Sequence, residues 1–101
     1  MIIFNTTFCM DVTEEGNCLS WLRNHYIPQA LTSGELHTPL LTKIISSQNE
    51  GVNYSLQLHV ADMQILEQWY AQTGDNLHIE LTRKFGEKVV GFSTLLEKVE
   101  I

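Results

Sequence analysis

Few side chains in this sequence could move a proton, attack a carbon or hold a metal near neutral pH. They are the histidines His25, His37, His59 and His78 and the cysteines Cys9 and Cys18. Spacing decides whether such residues make a site. No two of them stand three or four apart, the separation that puts two metal ligands on one face of a helix, so no metal is expected. Cys18 and His25 are seven apart on one side of a predicted helix, with Trp21 between them. An imidazole so placed could take the thiol proton and leave a nucleophilic thiolate. That side also carries the apolar stripe of the helix, where a cysteine is simply a small hydrophobe. His59 falls on the polar parity of a predicted strand, in the series Asn53, Ser55, Gln57, His59. There it could bind a ligand or act as acid and base, or it could be a hydrogen-bonded group within an interface.

Other chemistry has less support. The six glycines are spread singly, so no glycine-rich loop cradles phosphate. Glu14, Glu15, Glu97 and Glu100 lie at element ends and read as capping or solvated charge. Trp21, Trp69 and Tyr70 could line a pocket between helices and sheet, or anchor a core. No cofactor is expected. A haem would need an axial ligand, which only His59 or His25 could be, by analogy alone.

The elements that must position these residues can be read in order. Residues 2–10 form a strand, with Ile2, Phe4, Phe8 and Met10 on one parity and Ile3, Asn5, Thr7 and Cys9 on the other. Asp11 to Thr13 supplies turn and cap chemistry for a helix over about 15–31, striped by Cys18, Leu19, Leu22, Tyr26 and Ala30. Pro28 inside that helix predicts a kink or break near Asn24 to Ile27, and Ser33-Gly34 a stop. Residues 36–47 read as a second strand. Pro39 suits an edge, and Leu40, Leu41, Ile44 and Ile45 fail to alternate cleanly, which leaves the facing open and allows a bulge. Residues 47–51 read as a hairpin loop, with Gly51 or Asn49 taking a positive φ. Val52 to Val60 alternates throughout and is a half-buried antiparallel strand.

Asp62 caps a second helix, striped by Met63, Leu66, Tyr70, Thr73, Leu77 and Leu81. Gly74-Asp75 leaves it either continuous with a weak point or in two collinear pieces. It stops at Gly86, and a last strand follows. The order β-α-β-β-α-β fits a ferredoxin-like sandwich with strand order 4-1-3-2 and both helices on one face. The other face should then hold Asn5, Thr7, Cys9, Asn53, Ser55, Gln57, His59 and Ser93. Ile3, Val89 and Leu95 are expected around them, with Leu41 and Ile45 as further candidates. A polar centre ringed by apolar residues suits a sheet that meets another sheet across a small polar space.

A chain of 101 residues, 44% hydrophobic and 18% charged, makes one ordinary globular domain. A net charge of −6, with basic residues scattered, argues against nucleic acid or an anionic membrane surface as partner. Met1 to Met10 lacks the positive start of a signal peptide and is too short to span a bilayer. Two cysteines without an export signal point to reduced thiols in a cytoplasm.

Residues 83–96, the run Trp21-Leu22 through His25-Tyr26-Ile27-Pro28, and Gly51-Val52-Asn53-Tyr54-Ser55 resemble a small family of uncharacterised bacterial proteins of about this length. That family looks like the dimeric α+β barrel group, whose members pair sheet to sheet. The group includes cofactor-independent monooxygenases, haem-degrading enzymes and proteins with no known activity. The resemblance implies a fold and a dimer, and no reaction. The expectation is a cytoplasmic homodimer, not an enzyme, that holds a small molecule around Asn5, Thr7, Asn53, Ser55, Gln57 and His59. The alternative is a monooxygenase-like or haem-related enzyme with His59 as acid and base.

Overall fold

The computed structural model of the chain describes residues 1–45 and 51–101. Its strands are β1 (Ile2–Met10), β2 (His37–Lys43), β3 (Val52–Val60) and β4 (Val89–Glu97). They form one antiparallel sheet in the order β2-β3-β1-β4, the predicted order written from its other end. Two helices, residues 12–31 and 63–85, cover one face. The clean alternation in β1 and β3 explains the core. Phe4, Phe8, Met10, Leu56, Leu58 and Val60 all turn to the helices and are buried. Edge-to-face ring pairs, Phe4 with Trp69 and Phe8 with Tyr26, each at 5.5 Å, lock the two layers together.

Capping follows the sequence. The Asp11 carboxylate accepts from the Thr13 amide at 2.9 Å, and Asp62 accepts from the Ile65 amide at 2.9 Å. Gly34 (φ 78°) and Gly86 (φ 59°) end the two helices in the left-handed region. Each helix also contains a five-residue π-turn. In the first, Leu22–Tyr26, the Ile27 amide donates to the Leu22 carbonyl. The turn widens just before Pro28, so the irregularity expected there as a kink or break is a π-turn that accommodates the ring without breaking the helix. It also suits the stripe Cys18, Leu22, Tyr26, Ala30, because a four-residue repeat drifts by about 40° per step on an ideal helix.

The second π-turn, Tyr70–Gly74, resolves the Gly74-Asp75 ambiguity in favour of one continuous helix. The extra residue shifts the stripe, so burial passes from Leu66 and Trp69 to Gly74, Leu77, Leu81 and Phe85. Met63 and Tyr70, expected inside, are 39% and 42% exposed. Gly74 is needed for space, not for its φ. A Cβ there would stand 2.5 Å from Cζ3 of the Trp69 indole.

The outer strands differ from expectation. Pairing with β1 turns Val89, Gly91, Ser93 and Leu95 to the helix side and Val90, Phe92, Thr94 and Leu96 to the open side. Val89 is 3% exposed in the core, and the Ser93 hydroxyl is bonded to Thr6 at 3.2 Å. In β2, Leu41 opposes Leu56 on the helix side, while Leu40 and Thr42 are open and Ile45 lies beyond the strand. A bulge sets this phase: three steps from His37 to Leu40 match two from His59 to Gln57. Thr38 at φ 57° takes up the extra residue. Of the predicted hairpin loop only Gly51 is among the described residues. A Cβ on it would stand 2.7 Å from the Met10 carbonyl oxygen, a backbone approach that requires glycine.

Candidate functional site

The open face of the sheet brings all six candidate ligand-binding residues together. Across β3 and β1, His59 stands opposite Ile3, Gln57 opposite Asn5, Ser55 opposite Thr7, and Asn53 opposite Cys9. All are half-buried. Ser55 donates its hydroxyl to the Asn5 side-chain carbonyl, and the Asn5 amide donates onward to Thr7 at 3.5 Å. The bulge sets His37 across from His59 with ring centroids 5.8 Å apart, a neighbour the sequence did not point to. His37 shares a 2.8 Å hydrogen bond with the Thr38 hydroxyl beside it.

On either side of this strip the face turns apolar. Leu40 (54% exposed) stands on β2, with Val90 (55%) and Phe92 (54%) on β4. Leu96 is on the same side. Not one Asp, Glu, Lys or Arg occurs among the residues of β1 to β4 that point this way. In a chain carrying six basic and twelve acidic residues, that absence sets this face apart from the rest of the surface.

The other candidates disperse. Cys18 is fully buried, and burial pushes its thiol up to about 11 with Glu14 adding to the shift, so it is not a thiolate near neutral pH. His25 faces elsewhere, bonding Glu80 at 2.6 Å with its ring 5.6 Å from that of Trp21. The Cys18–His25 pair is therefore not assembled, and Cys18 is the small hydrophobe its stripe implies. Trp69 is core, its indole N–H donating to the Ala30 carbonyl at 3.0 Å. Trp21 borders a surface groove on the outer side of the first helix. Among the described residues no three His, Cys, Asp or Glu side chains converge as a metal site would require. No helix among them is long and apolar enough to cross a membrane.

A second concavity lies on the helix side, between the second helix and β4. Composition alone does not point to it, because β4 is apolar on both parities and only its pairing with β1 turns Gly91, Ser93 and Leu95 to this side. The only sequence signal for it was a pair of small residues, Gly91 and Ser93, alternating with large ones in an apolar strand.

Comparison with known proteins bears on fold and family. The family model described as a domain of unknown function, DUF4286, matches residues 1–99. No curated protein is found to match the sequence. Among solved structures, the chain is similar to an ethyl tert-butyl ether d (ethd) family protein from Bacillus halodurans, with TM-score 0.70 and 13% identity over 98% of this chain and all of that one. It is similar to HapK from Hahella chejuensis, with TM-score 0.70 and 10% identity over 98% of this chain and 93% of that one. A de novo designed protein, Foldit4, also matches, with TM-score 0.60, 8% identity and coverage of 97% and 98%. Identities this low carry the fold and nothing more.

Proposed function

From the premise that the chain belongs to the DUF4286 family, with an α+β fold shared with those structures, we propose that it acts as a homodimer whose two sheets meet through their open faces. One observation carries this reading: the open face has apolar margins and no formal charge. Two copies that each carry −6 repel one another least through such a surface. Three strands of nine residues and one of seven, at about 4.8 Å spacing and about 3.3 Å rise, give a patch of at most about 19 by 30 Å, at the small end of specific interfaces. The strip of Asn5, Thr7, Asn53, Ser55, Gln57 and His59 is the part with hydrogen-bonding capacity to spare, and a small polar molecule enclosed between the copies is held there.

The test is light scattering at micromolar concentration, where the expected mass is twice 11.6 kDa. The double variant Leu40→Asp, Val90→Asp places a carboxylate on each margin and should sediment as a folded monomer. A wild-type monomer sinks the proposal. The paired imidazoles of His37 and His59 favour one further reading, an enzyme with His59 as acid and base. That reading requires a turnover which His59→Ala abolishes while the dimer persists.

A further inference from the structure

We propose that the groove between the second helix and β4 binds a neutral aromatic molecule of one or two fused rings bearing a hydroxyl or carbonyl oxygen at one end. This goes beyond the dimer, because the groove opens on the helix side of the sheet.

The groove is open to solvent along its length and offers about 570 Å³, within the size range of small-molecule clefts. Its sides are apolar and partly aromatic: Met63, Leu66 and Tyr70 from the helix, and Leu95 from the strand. Tyr70 and Leu95 are 42% and 47% exposed, although each belongs to an element that packs on the core. The helix layer stops short of this edge strand and leaves flat apolar walls facing each other. A planar ring fills such a slot with little loss of its own freedom.

The inner end fixes the polar requirement. Beyond Gly91 and Ser93 the groove continues into a chamber of about 30 Å³, room for a single water-sized group. A Cβ at Gly91 would stand 3.3 Å from Leu81 Cδ2 and 3.5 Å from Phe8 Cδ1, so a larger residue there would fill the neck. The chamber presents hydroxyls. Thr6 and Ser93 are bonded to each other at 3.2 Å, and the Tyr26 phenol is 6% exposed. No carboxylate or ammonium lines it, and the His78 imidazole borders it beside the hydroxyls. Burial holds the Tyr26 phenol up at about 12, against the opposing hydrogen bond from Thr6, so it stays a neutral donor. One oxygen atom is what this chamber can take. A neutral oxygen suits it better than an anion: His78 borders both groove and chamber as a hydrogen-bonding imidazole, while Glu67 at the groove and an acidic chain around it oppose negative charge.

The backbone points to the same place. The first π-turn ends at Tyr26, the second begins at Tyr70 and ends at Gly74, and all three residues border the chamber. π-Turns gather at functional sites because they re-aim side chains that an ideal helix would send elsewhere. Here the second one turns Tyr70 out of the core and into the groove.

The test is calorimetry and amide NMR of the full chain with naphthol as probe and naphthoate as its anionic counterpart. Naphthol should bind saturably, with shifts centred on Tyr70, Gly91, Ser93 and the Trp69 indole. Naphthoate should bind at least about tenfold more weakly. Tyr70→Ala and Ser93→Val, both at exposed positions and checked for folding by circular dichroism, should each weaken naphthol by about fivefold or more. The Leu40→Asp, Val90→Asp variant should bind as tightly as the wild type, which separates this site from the face between copies. Equal affinity for the two probes overturns the proposal, as do shifts centred on Asn5, Gln57 and His59. So does affinity unchanged by both substitutions, or no saturation below about 1 mM.

Discussion

Glu15 shows how single contacts set pH behaviour in this protein. Its carboxylate accepts the Tyr54 hydroxyl at 2.6 Å and the Lys43 ammonium at 3.1 Å, tying the start of the first helix to β3 and β2. The Tyr54 hydrogen bond, followed by that of Lys43, holds the Glu15 carboxyl below the usual carboxylate range. The same bond to Glu15 raises the Tyr54 phenol. A carboxyl depressed in the folded state stabilises above its ordinary range and loses that contribution as pH falls through the folded value. A phenol raised in the folded state stabilises below its ordinary value and loses that contribution as pH climbs through the folded one. Tyr54→Phe should therefore lower the urea midpoint between about pH 5 and about pH 9, with the gap to wild type closing below about pH 4. A gap independent of pH would mean that packing alone, not this hydrogen bond, holds the site. Cys18 is the opposite case: a chemically capable group silenced by its surroundings. Its type was plain in the sequence and its burial was implied by the stripe it shares. What decided between nucleophile and hydrophobe was where His25 turned, toward Glu80 and Trp21.

Among the elements, alternation determined what could be read. β3 alternates without a break and β1 nearly so, with Thr6 turned inward and Ile3 outward, and the parities of both strands put all six candidates on the open face. β4 is apolar on both parities through Val89, Val90, Phe92, Leu95 and Leu96, so its phase lay in its pairing with β1 and not in its composition. That is why Val89, Ser93 and Leu95 were put on the wrong side, and why the groove went unseen. In β2 the two Leu are adjacent, and only the bulge at Thr38 determines that Leu41 and not Leu40 faces the helices, while Ile44 and Ile45 lie beyond the strand. Pro28 gave the right location for an irregularity in the first helix, and the backbone answered with a wider turn instead of a break. The two helices are joined where the Trp69 indole reaches the Ala30 carbonyl at the end of the first. Trp69→Phe leaves that buried carbonyl without its partner and should cost about 1–3 kcal/mol in chemical denaturation. A loss well below that would show the carbonyl finding water or another donor. The Phe4 to Trp69 ring contact is kept by phenylalanine only in part, which adds to the loss.

For the whole molecule the decisive quantity is the distribution of charge. Among the described residues the acidic side chains lie on the helices, their connections, the chain end and, at Glu97, the helix side of β4, and the open sheet face has none. Association through that face forms no ion pair between copies, while the two net charges of −6 still repel. Raising salt from about 50 to about 500 mM should thus tighten the dimer slightly, as measured by sedimentation equilibrium. Marked loosening by salt would indicate that charged groups make the contact, and so a different face. The overall dimensions, 36 by 33 by 18 Å, describe a slab one sheet and one helix layer deep. So thin a body has a single core, and its strands are sealed from one side only. For the proposed dimer, the second seal is supplied by another molecule and is available in proportion to how many are present. Its melting temperature should then climb as the solution is made more concentrated, so that thermal resilience becomes a property of the population as well as of the chain.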